Sequence, residues 1–150
     1  MGSSPQQPRG RVAAIDLGKA RVGLAVSDEL HLLAHPRPAL EGKSLKRLVT
    51  QLATLAVEAS IDRFLVGLPL SMSGEAGVAA QRAMRFCQKL ADATGRDVEL
   101  VDERLTTVQA SRALAEAGVA KSERQAHIDG AAAAIMLQRW LDEHRDDDRS

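Results

Sequence analysis

Tyrosine is missing from this 150-residue chain, and its only aromatics are Phe64, Phe86 and Trp140. A protein that grips single-stranded nucleic acid by stacking bases needs several aromatic platforms, so the composition argues against that class. Cysteine occurs once, at Cys87, and no disulfide framework can form within the chain. Beside Phe86 and three residues before Leu90, Cys87 reads as a small core residue in a helix, not as a nucleophile. No apolar run reaches the length of a membrane span. The start, Met1 to Gly10, lacks the apolar segment of a secretory signal, so the expected location is the cytoplasm. Formal net charge is zero, which argues against coating nucleic acid through global basicity.

The length fits one domain with a single well-covered core. Residues 1–10 read as a disordered leader. Residues 142–150 read as an acidic, frayed tail with five acids against two arginines, which leaves the body, 11–141, mildly basic.

Within the body, Val12 to Ile15 and Val22 to Val26 are short apolar runs joined by a tight turn, the pattern of two paired strands. His31 to Leu40 resembles a third strand, placed at a sheet edge because Pro36 and Pro38 cannot donate ladder hydrogen bonds. Ser44 can cap a helix to about Ala59, with Leu45, Leu48, Leu52 and Leu55 on one face. Arg63 to Leu68 suits a strand buried on both faces. A second helix is expected over about Glu75 to Ala93, with Val78, Met84, Cys87 and Leu90 inward and Gly95 as its stop. Val98 to Val101 forms a fifth strand. Thr106 with Gln109 matches a capping box for a helix to about Glu116, and Ser122 with Gln125 opens a last helix through Trp140. Three sequential strands followed by strand and helix alternation imply an α/β fold: a five-stranded mixed sheet flanked by helices.

Chemistry gathers at the strand ends. Asp is a poor strand residue and a buried carboxylate is costly unless paired, hydrogen-bonded or metal-bound, yet Asp16 sits between Ile15 and Leu17. Gly18 lets the backbone bend sharply or approach a ligand, and Lys19 and Arg21 place cations beside it. A plain turn using Asp for local hydrogen bonds explains the same residues. Asp102 and Glu103 close the fifth strand, and Asp129 precedes Gly130-Ala131-Ala132-Ala133-Ala134, a helix with so little bulk that it can lie close to a sheet. Converging carboxylates repel one another unless a divalent cation joins them. An oxygen-only donor set favours Mg2+ or Mn2+ over zinc. Two such ions about 4 Å apart can activate a water and stabilise a leaving oxygen in phosphodiester cleavage, with Lys19, Arg21 and Arg104 on the phosphates. The plainer readings are a solvated loop at Asp102-Glu103-Arg104 and a first-turn helix acid at Asp129. His31 and His35 lack metal-ligand spacing.

Four segments, in order, resemble the YqgF/RuvX family: IDLGKARVGLAVSD at 15–28, VGLPLSMSG at 66–74, VDERLTT at 101–107 and IDGAAAAIMLQRWL at 128–141. Members are described as similar to Holliday junction resolvases and as nucleases for the precursor of small-subunit ribosomal RNA. The resemblance implies a ribonuclease H-like fold over residues 11–141 and a metal-dependent endonuclease. It also implies Asp16, Glu103 and Asp129 as the catalytic, metal-binding acids with Mg2+ or Mn2+, and Lys19, Arg21 and Arg104 as the nucleic-acid-binding cations. Trp140 lies where members carry an aromatic near the end of the last helix. In the usual strand order of that fold, strand five lies two strands from strand one, about 10 Å away, which leaves Asp102 a rival to Glu103.

The implied partner is structured RNA or branched DNA, with no membrane. A resolvase that nicks two symmetric strands requires a two-fold homodimer. Two other functions fit less of the chain. One is a catalytically weak nucleic-acid-binding adaptor in ribosome maturation or transcription. The other is an actin-like ATPase or kinase, whose nucleotide sits between two such domains where this chain has room for one.

Overall fold

The computed structural model describes residues 10–18, 21–68, 76–102 and 121–149. Strands β1 (Arg11–Leu17), β2 (Arg21–Ser27) and β3 (Ala34–Glu41) precede helix α1 (Leu45–Glu58). Strand β4 (Ile61–Leu68), helix α2 (Ala76–Thr94), strand β5 (Asp97–Asp102) and helix α3 (Lys121–Arg149) complete the order. The sheet runs β3-β2-β1-β4-β5. β1, β2 and β3 pair antiparallel in sequence, and β1, β4 and β5 run parallel. The mixed five-stranded sheet expected from the element order is thus the one observed.

Period-two alternation divides the core between the two faces of the sheet. Ala13, Ile15 and Leu17 join Phe64, Val66 and the helical Leu48, Leu52, Phe86 and Leu90 on the face covered by α1 and α2. Val12, Ala14, Ala25 and Leu65 meet Ala133, Met136, Leu137 and Leu141 of α3 on the other. The hairpin is pinned where β1 begins: the buried Ser27 hydroxyl accepts from the Val12 N–H at 2.9 Å and donates to the Asp28 carbonyl at 3.0 Å. Ser27→Ala strands that buried N–H, which costs about 1–3 kcal/mol. At about 2–4 °C per kcal/mol for a chain of this size, calorimetry should record a melting point several degrees lower.

Helix α1 starts where Ser44 predicts, its Oγ accepting from the Arg47 N–H at 3.2 Å, and α2 stops at Gly95 with φ 69°. On α2 the inward face differs from expectation. Ala83, Phe86 and Leu90 are buried and Cys87 partly so, while Val78 and Met84 are 72% and 57% exposed. Ala83, Phe86, Cys87 and Leu90 follow one another at helical spacings of three and four on the side that meets α1, β4 and β5, and Val78 and Met84 fall outside that phase. The third strand begins at Ala34 and not at His31. His31 adopts a positive φ of 57° and its Nε2 meets the Gly10 carbonyl at 2.7 Å. The last helix continues through Arg149, where the acidic end reads as frayed. Arg145 there donates to the Leu32 carbonyl at 3.0 Å and to Asp142 at 3.1 Å. The expected helix over Thr106 to Glu116 lies outside the described residues. Among the described residues no helix is long and apolar enough to cross a membrane.

The loop after β2 supplies a pH-dependent contact. Burial works against ionisation of Asp28, but the N–H groups of Leu32 and Leu33 donate to its Oδ1 at 2.7 and 3.3 Å and His35 adds charge, so its carboxyl lies below its ordinary 3.8. A carboxyl depressed by folding stabilises the native state above its ordinary pKa, and that contribution disappears as pH falls through the lowered value. Asp28→Asn should therefore unfold at lower urea than the parent at pH 6. The gap should narrow as pH drops through 3.8 and below.

Candidate active site

Asp16 is the half-buried carboxylate of an otherwise apolar strand. It is in phase with Val12 and Ala14, which pack on the α3 cluster, so period two assigns it to the α3 face. Its neighbour across β2 is Gly23, which contributes no side chain to crowd that position. Asp16 has a polar partner of its own. Immediately after it, the chain turns tightly. The Gly18 N–H donates to the Arg21 carbonyl at 3.1 Å, and a Cβ at Gly18 would collide with that same oxygen. Gly18 therefore serves the sharp bend, one of the two uses foreseen for it. Arg21 opens β2, exposed, opposite Glu41 of β3. Lys19 lies outside the described residues.

A residue that sequence reasoning missed holds this turn in place. Arg82 of α2 donates one terminal nitrogen to the Gly18 carbonyl at 3.0 Å and the other to the Gly42 carbonyl at 3.0 Å. One guanidinium thus ties the turn after Asp16 to the loop between β3 and α1. Nothing local marks it, since Arg82 sits in an ordinary amphipathic helix and its partners lie 64 and 40 residues away.

Helix α3 approaches the sheet as closely as its composition allows. A Cβ on Gly130 would lie 3.3 Å from the Arg37 carbonyl and from the Pro36 Cβ, and 3.9 Å from the Leu24 carbonyl. Leu24 pairs with Ile15, the residue before Asp16. Ala132 and Ala133 are buried on the same approach. The helix runs from that level toward Trp140 and Leu141, which line a cavity with Val12, Asp62 and Asp97 at the other end of the strands. The backbone of position 129 therefore enters the fold at the Asp16 end of the sheet. The side chain of Asp129 lies outside what is described.

At β5, Asp102 pairs with Leu68 of β4, and β4 separates β5 from β1. Two strand spacings, about 10 Å, thus part the backbones of Asp16 and Asp102, as the family's usual strand order implies. Val101 packs on the α3 side with Trp140, so Asp102 is one position out of phase with it. Its own side chain, and Glu103 and Arg104 entirely, lie outside the described residues. Among the described residues no three His, Cys, Asp or Glu form a metal-binding group. The single thiol is no rival nucleophile: burial pushes Cys87 up to about 11. Trp140 belongs to the far end. There its ring stacks on His144 at 3.8 Å and lies 5.7 Å from the Arg63 guanidinium, and its Nε1 donates to Glu99 at 3.4 Å.

Comparison with known proteins places these features in context. A curated protein of Myxococcus xanthus (strain DK1622), named "Putative pre-16S rRNA nuclease", is 44% identical over 138 residues, 92% of this chain and 91% of its own. A Mycobacterium tuberculosis (strain ATCC 25618 / H37Rv) protein of the same name is 46% identical over 140 residues, 90% of this chain and 80% of its own. Among solved structures, Thermus thermophilus RuvC in complex with Holliday junction substrate superposes with a TM-score of 0.58 at 17% identity, covering 91% of this chain and 96% of that one. Fowlpox virus resolvase in complex with Holliday junction DNA gives 0.52 at 8%, covering 89% and 97%. At such identities the likeness shows the fold, which is ribonuclease H-like. The family model described as "RuvX: Holliday junction resolvase" matches residues 10–143, and the chain belongs to that family.

Proposed function

We propose that this protein is a metal-dependent endonuclease of the cytoplasm that hydrolyses phosphodiester bonds in structured nucleic acid. Residues 11–141 form its catalytic domain. Its first substrate is precursor 16S ribosomal RNA, and four-way junction DNA is the second substrate class. The observation that carries this reading is Asp16: a half-buried carboxylate at a strand end, on the face of the sheet that α3 approaches. The names of the relatives supply the RNA class and the family description the junction class.

Asp16, Glu103 and Asp129 are the acids of the site. The resemblance carries Glu103, and Asp102, which ends β5 one position out of phase with Val101 on the α3 side, is the weaker candidate. Such a donor set, all carboxylate oxygen, fits Mg2+ or Mn2+. Gly23 opposite Asp16 brings no side chain to that position. When bound, the metal supplies water activation and stabilisation of the leaving oxygen. The chain itself fixes the first carboxylate through the turn at Gly18 and the Arg82 clamp, and Lys19, Arg21 and Arg104 hold the substrate phosphates.

The test is cleavage of a labelled precursor ribosomal RNA fragment and a labelled four-way DNA junction, with Mg2+, with Mn2+ and with chelator. Cutting of one substrate that requires the metal is expected. Binding of either without cutting under any metal would overturn the nuclease and put the adaptor in its place.

A further inference from the structure

Zero net charge hides a polarity along the strands. At the end of the sheet away from Asp16, two arginines are neutralised: Arg11 pairs with Glu29 at 3.0 Å, and Arg63 with Glu99 at 3.1 Å and Asp97 at 3.4 Å, while Arg96 donates to the Ile61 carbonyl. At the Asp16 end the cations stand differently. Lys43, Lys46 and Arg47 are exposed, and the first turn of α1 holds no acid. None of these three side chains makes an ion pair among the described residues. Glu41, at the end of β3, is the nearby acid in sequence, and it stands opposite Arg21 in the register.

Their position is fixed rather than incidental. The Arg82 guanidinium bonds to Gly18 and Gly42 together, so Lys43, next in the chain, begins beside the turn that follows Asp16. Ser44 then sets the first turn of the helix, which carries Lys46 and Arg47. These three solvated cations stand at the Asp16 end of the sheet, on the α1 side, opposite the face to which Asp16 is assigned, and complement in charge a polyanion long enough to pass over that end.

We propose that Lys43, Lys46 and Arg47 form a docking site for the phosphate backbone of the substrate, outside the scissile phosphodiester. The proposal rests on the nuclease reading and extends it. The patch binds without regard to base sequence, and it gives a formally neutral chain the local positive surface its substrate requires. Structured RNA and junction DNA share the phosphodiester backbone, so both engage it.

The experiment measures equilibrium binding of the two labelled substrates in chelator, where no cutting occurs, across a salt series. It compares the parent protein, the triple variant Lys43→Gln/Lys46→Gln/Arg47→Gln, and Lys89→Gln, an exposed change toward the other end of α2. Each lost phosphate contact lowers the slope of log affinity against log salt by about 0.9 on duplex and about 0.7 on single strands. The triple variant is therefore expected to lose about 2 to 3 from the slope and about 100-fold in affinity near 0.1 M salt. Lys89→Gln should match the parent, and metal-dependent cutting at saturating substrate should survive in the triple variant. A triple variant with unchanged slope and affinity, beside a parent that binds, overturns the docking site and leaves the nuclease standing. A parent that binds neither substrate overturns both. An RNA arm that responds alone, or a DNA arm that responds alone, names the source of the backbone.

Discussion

Asp16→Asn is expected to reduce metal-dependent cleavage by about 10³-fold or more while leaving the fold unchanged. Asparagine keeps the shape of the side chain but removes the charge that, in the proposed site, would hold a divalent cation. Metal stabilisation of a phosphoryl transition state is worth several kcal/mol, and each 1.4 kcal/mol is tenfold in rate. The substitution is conservative for packing because Asp16 is half-buried and faces Gly23 across the hairpin. The rate should therefore collapse while the melting temperature moves by no more than about 2 °C, well inside the range of a mild surface change. The decisive comparison is a single-turnover rate in Mn2+ beside a thermal scan of the same sample. Full cleavage by a folded Asp16→Asn protein would remove the central acid from the site and sink the reading built on it.

Gly130→Leu is the second large effect, and here stability and activity should fall together. Two forces compete at Gly130. Replacing glycine inside a helix by alanine gains about 1 kcal/mol of helix propensity. Against this, even a Cβ would lie 3.3 Å from the Arg37 carbonyl and from the Pro36 Cβ. Alanine needs those neighbours to yield by only a few tenths of an ångström, and we expect Gly130→Ala to stay within about 1 kcal/mol of the parent. Leucine has no room, and overpacking of this kind costs about 1–3 kcal/mol. The melting point should fall by about 2–12 °C, at 2–4 °C per kcal/mol. To relieve the clash, α3 must lift from β2 and β3 and carry position 129 with it. A displacement of about 1 Å at a catalytic group can cost about 100-fold in rate, so Gly130→Leu should be a poor nuclease even at temperatures where it is fully folded. Measuring cleavage at 15 °C, below the melting range, separates the two losses. Normal cleavage there would mean that the distance of α3 from the sheet does not matter to the chemistry.

The polarity of the sheet bears on how such a protein works on a large substrate. Arg11 and Arg63 at the far end are paired with Glu29, Asp97 and Glu99, whereas the proposed docking cations at the Asp16 end are not paired among the described residues. Leu30, Leu32 and Leu33 are exposed by 75%, 42% and 57% on the loop that Asp28, Gln138 and Arg145 hold by hydrogen bonds. That loop lies at the end of the sheet away from Asp16.

Some of this was legible in the residues alone, because the signals are local. The alternation of Val12 to Ile15 and Val22 to Val26 gave a hairpin, since side chains on a strand must take turns between two faces. Asp16 announced itself as a carboxylate in a strand, where only a partner or an ion justifies it. Ser44 and Gly95 marked helix ends through their own hydrogen-bonding and backbone preferences. The run from Gly130 to Ala134 told of a helix able to lie close to a sheet. Other features depended on pairings between distant parts of the chain, which no local period encodes. Strand order put β4 between β1 and β5, and with it the 10 Å gap that separates Asp16 from the end of β5. On α2, Ala83, Phe86, Cys87 and Leu90 share one helical side, and packing against α1, β4 and β5 decided that this side, and not the one with Val78 and Met84, turns inward. Arg82 acquired its role only when folding brought the carbonyls of Gly18 and Gly42 within reach of one guanidinium. Sequence by itself determined the local elements and the acids they carry, because propensity and period act over a few residues. Tertiary structure alone decided which helix covers the face of Asp16 and which arginine holds the turn after it, because that depends on strand order and packing across the whole chain.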